Sequence, residues 1–83
     1  MPRIRFFASI QDKLGASELR IRITDSRSLR NILMETATIN QIEPSFFIDG
    51  PFLFAINQTM AGLDDMVQDG DEIAIFPPMS GGL

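Results

Sequence analysis

The sequence predicts an α+β fold, a mixed sheet of four to five strands with one main helix packed across it. Three patterns in the 83 residues predict it. Apolar residues alternate with others over residues 3–8 and again over 18–23, the period of a half-buried strand. Leu29, Ile32, Leu33 and Ala37 recur at helical spacing. Two later apolar runs, 52–57 and 72–76, are bounded by turn residues and read as strands.

In the first strand Ile4, Phe6 and Ala8 are expected to face the core and Arg3, Arg5 and Phe7 to face out. After a turn at 14–17, Leu19, Ile21 and Ile23 point inward and Glu18, Arg20 and Arg22 outward, so the two runs are expected to pair as a hairpin. The arginine stripe on its solvent side reads as solubility and edge protection, with Glu18 as a pairing partner, rather than as a binding site. Asp25 is the expected helix N-cap, since its carboxylate can accept from amides one turn ahead. The helix is expected to fade at 38–40. Residues 41–50 read as a connection punctuated by Pro44 and Asp49-Gly50, in which Phe46 and Phe47 plug the core.

The run Phe52-Leu53-Phe54-Ala55-Ile56-Asn57 is short and aromatic enough for a buried strand, and a brief extended piece follows at 59–61. Gln68-Asp69-Gly70-Asp71 suits a tight reversal. In the last strand Ile73 and Ile75 fall on one face and Ala74 and Phe76 on the other. Strand, strand, helix, strand, strand is the order of a β-grasp sheet, whose first and last strands lie side by side in the middle. Phe7 and Phe76 would then both project away from the helix as an aromatic patch, the kind of surface that marks a partner site.

Composition narrows the function. A chain of this length makes one domain, burying roughly 60% of the surface it exposes when unfolded. It contains no Cys and no His, so disulfides, thiolate nucleophiles and the usual zinc, haem and acid–base sets are excluded, and neither a metal site nor a free-standing enzyme is expected. No segment resembles a signal peptide or approaches the roughly 20 apolar residues of a membrane span, so a soluble, cytoplasmic protein without a membrane partner is expected. The net charge of −4 is split along the chain: the first thirty residues hold seven bases against three acids, +4, and the remainder eight acids and no base, −8. Nucleic acid is a poor partner for such a chain, and its acidic half is expected to favour a positively charged surface.

Residues 1–76 are expected to form the domain and 77–83 an extended C-terminal tail. Phe76-Pro77-Pro78-Met79-Ser80-Gly81-Gly82-Leu83 carries no charged side chain. Stiffened by two prolines and then stripped of side chains, it suits threading into another protein's cleft, with Pro77, Pro78, Met79 and Ser80 along the path and Gly81 and Gly82 in its narrow part. The plain alternative is a frayed end with two turn glycines.

Ala55-Ile56-Asn57-Gln58-Thr59-Met60, then Gln68-Asp69-Gly70-Asp71-Glu72-Ile73-Ala74-Ile75-Phe76-Pro77-Pro78-Met79-Ser80-Gly81-Gly82, with Phe6-Phe7-Ala8 near the start, closely resembles the ubiquitin-like sulfur carriers that form the small subunit of molybdopterin synthase. The resemblance covers nearly the whole chain in length and order; residues 31–52 are its indistinct part. An Asn-Gln pair, an Asp-Gly-Asp-Glu turn and a Phe-Pro-Pro ending before two glycines make a specific combination.

The resemblance implies that the carboxylate of Gly82, accompanied by Gly81, is adenylated by an ATP-dependent partner enzyme, and that sulfur from a donor then displaces the adenylate to leave a thiocarboxylate. It implies that the tail next enters the large synthase subunit, where a pterin precursor takes up the sulfur on its way to the molybdenum cofactor. The chain itself would bind no cofactor, and ATP would be consumed by the adenylating partner. Phe7, Met60 and Phe76 match positions that pack on partners. Leu83 departs from the pattern, in which the second glycine is last. A precursor trimmed by a peptidase, a residue added in cloning, and a homologue that no longer carries sulfur are three explanations. Rival functions are sulfur carriage for thiamine or another sulfur-containing metabolite, a ubiquitin-like protein modifier, and an interaction domain with an inert tail.

Overall fold

Alternation at the start of the chain becomes strand β1 (Arg3–Phe6), with Ile4 and Phe6 buried and Arg3 and Arg5 exposed, in a computed structural model that describes residues 2–77. The strand is shorter than its alternation suggested. Ala8 opens a helix, α1 (Ala8–Leu14), where the strand was expected to continue. This helix has only two apolar anchors, the buried Ile10 and the partly buried Leu14 one turn later, too few for a helical period to register. It ends at Gly15, whose φ of 71° is left-handed and whose N–H bonds the Gln11 carbonyl at 2.9 Å. Strand β2 (Glu18–Arg20) then pairs antiparallel with β1, matching Arg3 with Arg20 and Arg5 with Glu18. The expected pairing is present, but a helix rather than a tight turn joins its strands. Ile21 and Ile23 remain buried beyond the last ladder residue.

The main helix, α2 (Leu29–Ile39), starts later than Asp25 would place it. Arg27–Ser28 forms a short strand, β3, whose partner is β6 (Met66–Val67). That pairing holds residues 27 and 28 extended, so Ser28 becomes the N-cap and its Oγ accepts from the Asn31 N–H at 3.1 Å. Two further amides at the helix start reach back to the same loop, Leu29 to the Asp65 carbonyl at 2.8 Å and Arg30 to Leu63 at 2.9 Å. Leu29, Ile32, Leu33 and Ala37 are fully buried, and the buried Thr36 hydroxyl donates to the Ile32 carbonyl at 2.8 Å. The helix stops at Asn40, whose side chain donates to the Thr36 carbonyl, and Gln41 turns left-handed behind it.

Residues 41–50 include one more helical turn, α3 (Ser45–Ile48). Phe47 is fully buried and stacks 6.0 Å from Phe6, while Phe46 meets Phe47 and Phe52 edge-on, both at 5.2 Å. Strands β4 (Leu53–Ile56), β5 (Thr59–Ala61) and β7 (Glu72–Phe76) complete the sheet, in the order β2-β1-β7-β4-β5. β1 and β7 are parallel and every other neighbour antiparallel. This is the β-grasp arrangement, with Ile4, Phe6, Phe54, Ile73 and Ile75 in the hydrophobic core with α2. No helix among the described residues is long and apolar enough to cross a membrane.

The turn between β4 and β5 is fixed from outside. Asn57 and Gln58 have φ of 51° and 71°, as a two-residue hairpin turn requires. The Asn57 amide donates to Asp71 Oδ1 and accepts from the Glu72 N–H, each at 2.9 Å, while its own N–H bonds the Glu72 carbonyl at 2.7 Å. The Asn-Gln pair and the acidic turn, separated in sequence, are thus one hydrogen-bonded unit.

Two stability effects follow. Asn57→Gly keeps the backbone conformation and removes two side-chain hydrogen bonds, and is expected to cost about 1–2 kcal/mol in chemical denaturation. Asn57→Ala should cost about 1 kcal/mol more, because it also pays for a left-handed φ. At Gly50 an added Cβ would lie 2.6 Å from the Phe46 carbonyl oxygen and 2.7 Å from the Phe52 ring. Gly50→Ala is therefore expected to destabilise by about 2 kcal/mol, whereas Gly62→Ala, which would meet nothing nearer than a carboxylate oxygen at 4.0 Å, should leave the unfolding midpoint nearly unchanged.

Candidate functional site

The face of the sheet away from α2 is built by the outward half of each alternation. Register aligns Arg5 with Ala74, Ala74 with Ala55 and Ala55 with Met60 across four strands. Two adjacent alanines in that row leave a low floor. Arg5, Phe7, Gln58, Met60, Glu72 and Phe76 stand around it, enclosing a shallow depression of about 360 Å³.

At one end of this depression Phe7 and Phe76 stack, with centroids 4.8 Å apart and planes 18° from parallel. Each ring covers part of the other, so both are half-buried rather than fully exposed. Their meeting is a consequence of the parallel β1–β7 pair, which runs both strands toward the same end and places Phe7 just past β1 and Phe76 at the end of β7. Met60 stands 63% exposed on the neighbouring hairpin. The three aromatic and methionine positions expected to contact a partner therefore share one face. Pro77 follows Phe76, half-buried, at the end of the described chain. Pro78, Met79, Ser80, Gly81, Gly82 and Leu83 lie outside the described residues.

Sequence periodicity had not placed Arg5, Ala55, Gln58, Glu72 and Ala74 in this site. The signal was present in the small residues: Ala55 and Ala74 occupy outward positions of otherwise bulky strands, the pattern of a surface left open for something to approach. Charge is also redistributed by the fold. Glu72 lies between two arginines, its Oε2 at 3.1 Å from Arg3 Nη2 and 3.5 Å from Arg5 Nη1, and Arg20 pairs with Glu18 at 3.1 Å. The basic stripe, read as edge protection, thus borders the last strand, so this face of the sheet sets arginines from the first part of the chain against an acid from the second.

Comparison with known proteins fits this geometry. The ThiS family model matches residues 4–82. A protein of Escherichia coli named molybdopterin synthase sulfur carrier subunit is 30% identical over 82 residues, covering 99% of this chain and 100% of the relative. Its namesake in Haemophilus influenzae is 32% identical over 83 residues with the same coverage. Among solved structures, SAMP1 from Haloferax volcanii superposes with a TM-score of 0.79 at 21% identity, covering 98% of each chain. A complex of subunits 1 and 2 of the molybdopterin-converting factor from Helicobacter pylori contains a chain that matches with a TM-score of 0.61 at 22% identity, covering 98% of this chain and 97% of that one. The structural likenesses establish the shared fold, and the end-to-end sequence matches establish the kinship: this chain belongs to the ThiS family.

Proposed function

We propose that this chain is the sulfur carrier subunit of a molybdopterin synthase, a non-catalytic partner that docks on the large subunit and delivers sulfur from the end of its tail. The observation that carries this reading is the Phe7–Phe76 stack, set where the last strand passes into a Gly-Gly tail, in a chain matched along its length by relatives of that name. The Helicobacter pylori neighbour, solved as a complex of two subunits of the molybdopterin-converting factor, supports a large-subunit partner.

Residues 1–76 act as the docking domain and 77–83 as the tail. An adenylating enzyme joins the Gly82 carboxylate to the AMP portion of ATP, releasing pyrophosphate. Sulfide-level sulfur from a donor then attacks the acyl carbon, its new C–S bond replacing the C–O bond to AMP, which leaves, and the product is a thiocarboxylate. Gly82 is the carrier atom's residue, and Gly81 gives the same freedom from side-chain bulk one residue earlier. Pro77 and Pro78 limit the conformations of the segment, so less entropy is lost when it enters a cleft. Residues 77–82 extended would reach roughly 20 Å, enough to place the sulfur well inside the large subunit while the sheet face stays docked. Since the chemistry needs a free carboxyl on Gly82, a chain that retains Leu83 becomes competent only after the Gly82–Leu83 peptide bond is hydrolysed. The cytoplasm, where ATP is available, is the proposed compartment.

Protein ending at Gly82, incubated with the adenylating enzyme, ATP and a sulfur donor, is expected to gain the mass of one oxygen replaced by sulfur. Protein retaining Leu83 should not. Intact-mass spectrometry reads both, and isopeptide-linked adducts on other proteins in place of the thiocarboxylate would favour a protein modifier instead. Phe76→Ala is expected to weaken binding to the large subunit by ~2 kcal/mol or more, as at interface hot spots, with the fold retained. Loss of stability with unchanged affinity of the folded fraction would give Phe76 a purely structural role.

A further inference from the structure

The depression beside the aromatic stack contains one charge that its own protein leaves partly unused. Arg5 lies 5.3 Å from the centroid of the Phe7 ring, close enough for the cation to rest against it. Its one ion pair among the described residues is with Glu72, at 3.5 Å; Glu18, opposite it in the β1–β2 register, is paired with Arg20. The same Glu72 oxygen accepts a hydrogen bond from Arg3 at 3.1 Å. One carboxylate therefore serves two guanidiniums, Arg3 holds the shorter contact, and this part of the face keeps an excess of one positive charge. The Arg5 side chain is still 48% exposed, so water satisfies most of its N–H groups when the protein is alone.

A partner that covers Phe7, Met60 and Phe76 must also cover Arg5, which lines the same depression. Removing water from a guanidinium with five donors and half a counter-ion is unfavourable unless the covering surface returns an acceptor. Its orientation against Phe7 and Glu72 limits the search the side chain must make, and a planar fork of N–H groups suits a carboxylate held bidentately. We infer that Arg5 is a specificity-determining residue of the docking face, and that the large subunit meets it with an Asp or Glu carboxylate. This rests on the reading of the chain as the small subunit of a molybdopterin synthase. It gives the partner's surface a sign opposite to the one that the acidic second half of the sequence suggests.

The test is calorimetric titration of the full chain with the large subunit from the same organism, at low and at physiological salt. Arg5→Gln is expected to weaken binding about tenfold and Arg5→Glu about a hundredfold, with thermal unfolding of Arg5→Gln close to that of the unmodified protein; Arg5→Glu faces Glu72 and Glu18 and unfolds somewhat earlier, so its affinity is measured below that transition. The affinity of the unmodified chain should fall with salt more steeply than that of Arg5→Gln. Replacing the acidic residues of the large subunit's contact surface with lysine, one at a time, should yield one variant that restores binding of Arg5→Glu. If the unmodified chain binds and Arg5→Glu binds equally well, or if no charge reversal rescues it, the inference is overturned while the functional reading stands. If the unmodified chain does not bind the large subunit, both are overturned.

Discussion

The parallel pairing of β1 with β7 is the constraint on which the rest of the molecule depends. It brings together residues as distant as Arg3 and Glu72, sixty-nine apart in sequence, and closing so large a loop costs chain entropy before any contact rewards it. The reward is apolar. Ile4 stands beside Ile73 and Phe6 beside Ile75 in register, all buried in one core with α2, and each fully buried side chain of this size contributes about 1.5–3 kcal/mol. Because β1 is also paired with β2, and β7 with β4, both central strands have neighbours on each side. Among the described residues, neither central strand is a sheet edge.

The same register that builds the core builds the opposite surface. Strand alternation means that every inward pair implies an outward one: Arg3 with Glu72, Arg5 with Ala74, and beyond them Phe7 against Phe76. The proposed docking surface is carried by central strands, whose side chains lose less freedom on binding than loop residues would. In the proposed function the tail supplies reach and slenderness, and the sheet holds its root in a fixed position.

Two links outside the main sheet keep this frame rigid. The Asn57 amide binds the hairpin turn to the segment entering β7, so the hairpin carrying Met60 is tied to the strand carrying Phe76. On the other side of the core, the short β3–β6 ladder and the amides of Leu29 and Arg30 fasten the start of α2 to residues 63–67. Arg30 adds an exposed ion pair to Asp64 at 2.9 Å, a minor contribution beside those backbone bonds.

What the sequence determined by itself is what local periodicity encodes. Inward and outward faces of the strands, the apolar stripe of α2, the end of that helix and the reversal before β7 follow from residues within a few positions of one another, because burial on one face and backbone dihedral preference act over that range. The aromatic pair was legible for the same reason, since Phe76 is an outward member of β7 and Phe7, just past β1, continues that strand's outward alternation. Tertiary structure decided the rest. Helix α1, with two apolar anchors, and strands β3 and β6, with two residues each, are too short to hold a periodic signal and exist through partners distant in sequence. That distant pairing is also what moved the N-cap from Asp25 to Ser28. The charge of the sheet's outward face was decided in the same way: seven bases in the first thirty residues and none thereafter describe a chain divided in two, and parallel pairing sets Arg3 and Arg5 against Glu72. Electrostatic surroundings depend on distance in space, and only the register of the sheet fixes that distance.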